Sequence, residues 1–212
     1  MGLENLVSVL PDKYIIKVVE QKPNLVDWSF ISTKSQLSEE FIEKYADKVN
    51  WKLILLHQNV SKEFVKKYEH LINWDEISKD PEIPEWFITK YSDYLNWHII
   101  SKNKPLSLQF IEKHADKVDW KAISRYQKLS KEFIEKHADE VDWKAISRYQ
   151  KLSEKFIEKH ADKVDWEEVS KYQRLSPEFI EKHGDKVNWY WVLLRQILPN
   201  EFIEKYYHLL YK

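Results

Sequence analysis

Residues 129–151, "LSKEFIEKHADEVDWKAISRYQK", decide the fold of this chain, because they nearly repeat the 23 residues before them. Residues 106–128 read "LSLQFIEKHADKVDWKAISRYQK", which differs from the later stretch at only three positions. An enzyme site brings unlike residues together once. A motif that recurs along a chain is instead typical of structural units that stack.

The same 23-residue period runs along most of the chain. Eight tryptophans follow one another at this interval without a gap, and a phenylalanine lies 13 residues after each of them. The tryptophans are Trp28, Trp51, Trp74, Trp97, Trp120, Trp143, Trp166 and Trp189. The phenylalanines are Phe41, Phe64, Phe87, Phe110, Phe133, Phe156, Phe179 and Phe202. A register this regular predicts a repeat architecture.

Each copy of the motif predicts two short helices. Asp119 is placed to cap a helix that begins at Trp120, and Ser130 is placed to cap a second helix that carries Phe133. Helices this short are marginal when isolated. One repeat also buries too little apolar surface to offset the backbone entropy lost on ordering it, so neighbouring repeats must share their burial. The sequence therefore predicts an all-α fold, an α-solenoid of 23-residue helix-turn-helix repeats with irregular end caps.

We predict a single α-solenoid domain over residues 1–212. Its predicted parts are an N-terminal cap and partial first repeat at residues 1–36, seven full repeats at residues 37–197, and a C-terminal capping helix at residues 198–212. The stretch "LPDKYI" at residues 10–15 matches "LSEEFI" at residues 37–42, but it lies four residues farther from the next tryptophan. One extra helical turn accounts for this difference.

The composition argues against an enzyme. The chain has no cysteine, which excludes disulfides, thiolate catalysis and cysteine zinc sites and favours a reducing compartment such as the cytoplasm. It has only two glycines, too few for phosphate-binding loops or a nucleophile elbow. No catalytic Ser/His/Asp set is indicated either, so we predict no enzyme activity and no cofactor. The net charge of −1 and the lack of a long apolar run predict no general attraction to nucleic acid and no membrane span.

Histidine and tyrosine share one position of the repeat. The histidines are His114, His137, His160 and His183, and the tyrosines are Tyr45, Tyr68, Tyr91 and Tyr206. A row of histidines is compatible with a metal site or a proton relay, but tyrosine does not replace a zinc ligand freely. We therefore interpret the position as half-buried and aromatic, and we predict no metal site.

In five successive repeats, the same position of the helix that begins at the tryptophan holds a lysine or an arginine. In three of these repeats the next residue is a tyrosine. We call this set the cation–tyrosine ladder: Lys79, Lys102, Arg125, Arg148 and Lys171 with Tyr126, Tyr149 and Tyr172. The next position holds Gln127, Gln150 and Gln173. Basic, aromatic and amide side chains in register are typical of repeat proteins that read one RNA base per repeat. The ladder is therefore a candidate binding surface.

A simpler interpretation of the ladder is that its cations complement the helix dipole. A row of acids on the other helix is then expected to cancel their field: Glu112, Glu135, Glu158 and Glu181. A lysine present in every repeat is likewise explained by the dipole: Lys44, Lys67, Lys90, Lys113, Lys136, Lys159, Lys182 and Lys205. On this balance of charges we do not expect nucleic acid to be the main partner.

The last repeat replaces "WKAISRYQK" of residues 143–151 with "WYWVLLRQI" at residues 189–197. The replacements that make this stretch apolar are Tyr190, Trp191, Leu193, Leu194 and Ile197. In one interpretation, the closing helix covers these side chains. In the other, they stay exposed and pair two chains about a two-fold axis, because exposed apolar patches mark interfaces. The chain is then a monomer or a weak homodimer.

The repeated sentence "LSxEFIEKHADKVDWKxISxYQ" resembles tandem 23-residue repeats in proteins of unknown function encoded by large DNA viruses of amoebae. The resemblance covers about residues 37 to 212. It implies a helical-repeat viral protein in the cytoplasm of the host cell, and it implies no reaction and no particular ligand.

Positions that vary on a constant frame favour a binding role. The two residues after each tryptophan differ widely between repeats, as in Lys52 and Leu53 against Glu167 and Glu168, while the frame stays apolar. The sequence therefore favours a non-enzymatic protein-binding scaffold or adaptor that acts on a host or viral protein. The alternatives are a self-associating structural or virion component, and a nucleic-acid-binding protein that uses the ladder.

Overall fold

A computed structural model gives the structure of the chain, and it describes residues 12–33 and 37–211. Within these two ranges the chain forms seventeen α-helices and three short 3-10 helices, and no strand. The predicted all-α repeat fold is therefore confirmed. Residues 1–11 of the predicted N-terminal cap lie outside the described ranges.

Two kinds of helix alternate along the chain. The Trp helices, each of which begins at a repeated tryptophan, are Trp28–Thr33, Trp51–His57, Trp74–Lys79, Trp97–Asn103, Trp120–Tyr126, Trp143–Tyr149, Trp166–Tyr172 and Trp189–Arg195. The Phe helices, each of which carries a repeated phenylalanine, are Glu39–Lys44, Lys62–Lys67, Glu85–Lys90, Leu108–Lys113, Lys131–Lys136, Glu154–Lys159, Pro177–Lys182 and Asn200–Tyr206. Short 3-10 helices lie at Pro23–Leu25, Glu69–Leu71 and Tyr207–Tyr211.

The first described helix confirms the extra turn that the sequence predicts. Asp12–Gln21 takes the place of a Phe helix and has ten residues, whereas Glu39–Lys44 has six. The four additional residues make about one helical turn. They account for the longer distance to Trp28, so the repeat register is kept without a break.

The predicted caps are present and explain where the helices begin. The Oδ1 atom of Asp119 accepts a hydrogen bond from the backbone N–H of Ala122 at 2.9 Å, and the Oγ atom of Ser130 accepts one from Phe133 at 3.1 Å. Each bond satisfies a backbone donor that has no partner within its own helix. The last Phe helix departs from this pattern, because Pro199 takes the cap position and makes no side-chain cap bond.

The core consists mainly of an aliphatic residue from each Trp helix and, in all but the last Phe helix, a Phe-aliphatic pair. Ile123 and Ile146 have no exposed surface, and Phe133 and Ile134 are buried beside them. Of the repeated tryptophans, Trp51 is buried and the other seven are partly buried against this core. Seven of the eight repeated tryptophans are thus less buried than the aliphatic core residues.

Chain contacts group the described residues into two compact units. The first comprises the residues up to Ile77 together with Thr89–Tyr91, and the second comprises Ser78–Ile88 together with the residues from Ser92 onward. In the first unit the Trp28 helix packs against the Trp51 helix. In the second, each Trp helix from Trp97 to Trp189 packs against the next. The single domain over residues 1–212 remains a prediction.

Buried serines bind one repeat to the next. The Oγ atom of Ser124 donates a hydrogen bond to the carbonyl oxygen of Trp120 at 2.7 Å and accepts one from the backbone N–H of Asp142 at 3.0 Å. Ser147 makes the same pair of bonds with Trp143 and Asp165. Both serines are fully buried. A small hydroxyl therefore allows the helices to approach closely and also satisfies a backbone donor of the following repeat.

Candidate binding surface

The structure brings most of the cation–tyrosine ladder together in the second unit. Arg125 Cζ lies 4.9 Å from the ring centroid of Tyr126 and 4.9 Å from that of Tyr149, one repeat further on. Arg148 Cζ lies 5.1 Å from the centroid of Tyr149 and 4.7 Å from that of Tyr172. Each arginine therefore contacts the tyrosine of its own repeat and the tyrosine of the next.

The ladder extends at both ends through lysines. Lys102 Nζ lies 5.8 Å from the ring centroid of Tyr126. At the other end, Lys171 Nζ lies 5.3 Å from the centroid of Tyr172 and 3.8 Å from that of Trp191. Trp191 thus joins the ladder, although the sequence assigned it only to the apolar C-terminal set.

Lys79 differs from the other ladder cations, because no tyrosine follows it in its own repeat or stands at the equivalent position of the next repeat. Its side chain is exposed near the end of the Trp74 helix. The next repeat carries Asn103 where later repeats carry a tyrosine, so the tyrosine rungs begin at Tyr126.

Each inner tyrosine ring contacts two cations. Arg125 and Arg148 both lie over the ring of Tyr149, at 4.9 and 5.1 Å from its centroid. The π-electron density of the ring attracts both cations. Tyr126, Tyr149 and Tyr172 remain 41–44% exposed.

This arrangement fixes the direction of long, flexible side chains. A free arginine or lysine loses rotamer entropy when it binds a ligand, and here part of that loss occurs on folding. The ladder is thus a preorganised row of cations. Because cations already lie over the rings of Tyr126, Tyr149 and Tyr172, these rings offer less open surface on which nucleic-acid bases can stack.

Further cations flank the ladder and were not singled out in the sequence. Lys151 and Arg174 line a groove of about 410 Å³ together with Arg148 and the two adjacent tyrosines. One repeat further, Lys171, Arg174 and Arg195 line an equivalent groove of about 450 Å³. These flanking cations could have been predicted from the sequence, because Lys128, Lys151 and Arg174 recur at the 23-residue period.

The glutamines beside the ladder have a structural role. Gln150 Oε1 accepts a hydrogen bond from the backbone N–H of Leu129 at 3.2 Å, and its Nε2 donates to the carbonyl oxygens of Ser124 at 2.9 Å and Gln127 at 2.8 Å. Gln173 makes the equivalent three bonds. Gln127, Gln150 and Gln173 are buried. The interpretation of these amides as base-reading groups is therefore wrong, because the frame uses them to hold neighbouring repeats together.

The acidic row on the Phe helices pairs with the lysines of the following Phe helices. Lys136 Nζ lies 2.6 Å from Glu112 Oε1, and Lys159 Nζ lies 2.8 Å from Glu135 Oε1. The hydrogen bond from Lys159 holds the pKa of Glu135 below its ordinary value. The same pairing joins the remaining acids to the following lysines: Glu158 to Lys182, and Glu181 to Lys205. Dipole complementation alone therefore does not account for these lysines.

The histidine position is aromatic, as the sequence indicates. The ring centroid of His137 lies 4.9 Å from that of Trp120 and 4.6 Å from that of Phe133. Tyr206 packs in the same way between Trp189 and Phe202. Burial lowers the pKa of His114 and so favours its neutral form. In the part of the chain that the structure describes, no group of three or more His, Cys, Asp or Glu side chains is arranged to hold a metal ion.

The C-terminal apolar residues are only partly covered. The 3-10 helix Tyr207–Tyr211 packs against the Trp189 helix. Trp191 and Leu193 are partly buried, Tyr190 is exposed, Leu194 is 56% exposed and Ile197 is 95% exposed. The closing segment therefore leaves apolar side chains at the surface, and whether they join two chains stays a prediction.

Comparisons of the chain with models of known protein families, with curated proteins and with solved structures return no match. A search of the described helices for one that is long and apolar enough to cross a bilayer also finds none. The ladder, with its contacts and its charge, is accordingly the feature of the molecule from which a function is inferred.

Proposed function

We propose that this protein is a non-enzymatic repeat scaffold that binds another protein, and that the cation–tyrosine ladder holds the partner. One observation carries the proposal. The repeated serines, glutamines and Glu–Lys pairs join one repeat to the next. Arg125 and Arg148 also contact the next repeat, and the same contacts hold them in fixed positions at an exposed surface. Preorganised, exposed and repeated side chains on a rigid frame are what a recognition surface requires.

The chemistry of the surface favours an acidic partner. Arg148 and Lys171 are joined by flanking cations in two successive grooves. The whole chain has a net charge of only −1, so this face is a local concentration of positive charge rather than a property of the whole protein. Complementary charge gives specificity and a high association rate. The resemblance of the repeat to amoebal-virus repeats supports an adaptor role toward a host or viral protein.

Single-stranded nucleic acid is the second candidate, favoured by basic grooves with aromatic side chains at a regular spacing. It ranks below a protein partner because cations already lie over the tyrosine rings on which bases would stack. Self-association through Leu194 and Ile197 is the third candidate, and it uses a different part of the surface.

The test is affinity capture from a lysate of the cells in which the protein occurs, divided into nuclease-treated and untreated halves. The bait is the wild-type chain, an Arg125→Glu, Arg148→Glu variant, or the control Lys155→Glu. Lys155 is exposed on a Phe helix, at a position where Glu40, Glu63, Glu132 and Glu178 stand in other repeats. The control therefore reverses a surface charge without disturbing the frame.

We expect the wild type and the control to capture the same protein in both halves of the lysate, and the ladder variant to lose it. A partner that disappears after nuclease treatment points to the nucleic-acid candidate. Capture that the ladder variant retains contradicts the ladder as the binding surface.

A further inference from the structure

Two successive grooves lie at the C-terminal ends of the Trp helices in the second unit. The first, of about 410 Å³, lies beside Tyr149 and Tyr172. The second, of about 450 Å³, lies beside Tyr172 and Arg195. Tyr172, Gln173 and Arg174 line both grooves. The grooves are therefore contiguous, and they are equivalent sites one repeat apart.

Three exposed cations of these grooves are open to a ligand. Lys151 lines the first groove, Arg195 lines the second and Arg174 lines both. Among the described residues, no carboxylate pairs with any of the three, and none lines either groove. Arg148 differs, because its Nη1 atom lies 3.8 Å from Glu168 Oε2. A carboxylate of a ligand therefore reaches an exposed cation in each groove without displacing an ion pair.

The distance between the grooves limits which acidic segment fills both. The Trp helices pack directly on one another, and packed helices lie about 8–10 Å apart. A β-strand presents the side chains of one face at intervals of about 6.6 Å, so its acids fall at about 6.6 or about 13 Å. An α-helix reaches about 10 Å only between residues seven positions apart. A polyproline II helix, with three residues per turn and a rise of about 3.1 Å, brings every third residue to one face at about 9 Å.

The aromatic walls of the grooves also fit a polyproline II segment. Tyr149 and Tyr172 line the first groove and are 41% and 42% exposed. Proline-rich segments typically bind in grooves lined by aromatic side chains. Their backbone is already extended before binding, so less conformational entropy is lost. The grooves thus offer cations for carboxylates and partly exposed rings for the prolines between them.

We propose that the two grooves bind a proline-rich acidic segment of the partner protein, extended as polyproline II, in which an acidic residue recurs at every third position. Lys151 binds one carboxylate, Arg195 binds the next, and Arg174 is placed to contact both. The proposal deepens the proposed protein-binding function and rests on it. Once the first carboxylate is bound, matched spacing holds the second beside its own groove, which raises the affinity through a high effective concentration.

Fluorescence anisotropy at low salt tests the spacing with four labelled probes of equal charge. They are a peptide of repeated Glu-Pro-Pro units, a peptide of the same composition with glutamate at every second position, an alanine-based helical peptide with glutamate at every seventh position, and oligothymidylate. The proteins are the wild type, Arg174→Ala and the control Lys155→Ala, which also removes one exposed cation but from a Phe helix. A thermal melt of each variant verifies folding.

We expect the Glu-Pro-Pro peptide to bind the wild type about tenfold more tightly than the peptide with glutamate at every second position, because it fills both grooves at once. Arg174→Ala is expected to weaken the binding of the Glu-Pro-Pro peptide about tenfold, the usual worth of a hydrogen bond to a charged group, and to reduce the preference for its spacing. Lys155→Ala is expected to bind as the wild type does.

Equal binding of the two proline peptides overturns the proposed segment, and so does binding that Arg174→Ala leaves unchanged. Tighter binding of the helical peptide overturns the extended conformation. In each of these cases the scaffold proposal survives if the wild type still captures its protein partner from lysate. A wild type that captures the partner but binds none of the peptides overturns the segment alone. A wild type that binds neither peptide nor protein overturns both proposals, and oligothymidylate that binds more tightly than every peptide overturns both in favour of nucleic acid.

Discussion

At the scale of single residues, buried polar side chains determine how closely the repeats can pack. The backbone groups at the ends of short helices need partners, and Ser124, Ser147 and the glutamines supply them across repeats. Gln58 does the same in the first unit, where it accepts a hydrogen bond from Leu37 and donates one to Ser32. Polar residues at these positions are thus part of the frame.

We expect Gln150→Ala to lower the free energy of unfolding by about 2–4 kcal/mol, because it leaves buried backbone groups of Leu129, Ser124 and Gln127 without a partner. Urea denaturation followed by circular dichroism measures the change. The neighbouring exposed Lys151→Ala is the control, with an expected change below about 0.5 kcal/mol. A Gln150 variant as stable as this control contradicts the structural role of the amide.

His114→Tyr is expected to reduce the dependence of stability on pH. Burial lowers the pKa of His114 below its ordinary value of 6.5, so the unfolded chain binds the proton more readily than the folded one. The stability that comes from the neutral ring is complete above the unfolded pKa and is lost as pH falls through the folded pKa. Tyr91 fills the same position without titrating in this range.

Melting temperatures between about pH 7 and about pH 5 measure this effect, because the ordinary pKa of histidine lies in that interval. The wild type is expected to lose more stability than His114→Tyr as the pH falls. Parallel slopes for the two proteins are the contrary result.

At the scale of helices, the tryptophan joins each pair. Trp143 Nε1 donates to the carbonyl oxygen of Ala138 at 2.8 Å, and its ring packs on Phe156 and His160. The indole therefore holds the end of one Phe helix, the start of its own Trp helix and the following Phe helix in one contact. Helices of six or seven residues depend on such contacts, because they do not persist in isolation.

Trp143→Ala is expected to destabilise the chain by about 3–5 kcal/mol, through a lost hydrogen bond and a cavity in the core. Trp86→Ala is a matched control, because Trp86 lies outside the 23-residue series and is 52% exposed. Chemical denaturation of both variants measures the difference. Similar losses for the two tryptophans contradict the assignment of the repeated series to the frame.

At the scale of the whole molecule, surface contacts recur at the 23-residue period as well as core residues. The Glu–Lys pairs recur from repeat to repeat along the Phe helices, and the cation–tyrosine contacts recur along the Trp helices of the second unit. Exposed ion pairs of this kind add little to stability. They do separate the surface chemically, because the Glu–Lys pairs lie on the Phe helices and the ladder cations lie on the Trp helices.

The exposed C-terminal residues predict weak homodimerisation through residues 189–212. Leu194 and Ile197 present apolar surface at positions where the preceding repeat carries Lys171 and Arg174. Sedimentation over a wide concentration range is expected to show a dimer of the wild type at high concentration and none for Leu194→Glu, Ile197→Glu. Lys155→Glu serves again as the charge control. A wild type that is monomeric at every concentration contradicts the interface.

The sequence by itself determined the helices, their caps and the order of the repeats. A fixed interval between Trp and Phe, with Asp, Asn or Ser before most of the helices, acts locally, so Asp119 and Ser130 were identifiable as caps without coordinates. The extra turn before Trp28 followed from counting residues. The ladder residues were also visible, because their period is that of the frame.

Only the tertiary structure decided what those residues contact. Gln150 reaches atoms 21 to 26 residues earlier, and Arg125 reaches a ring 24 residues later, so these contacts depend on how one repeat packs on the next. The buried state of Glu168 has the same origin, since its neighbours Lys144 and Arg148 belong to the preceding Trp helix. A period read along the chain fixes which positions recur. Packing between repeats determines whether a side chain contacts the neighbouring repeat or stays exposed to a partner. This packing depends on three-dimensional contacts that no local sequence pattern encodes.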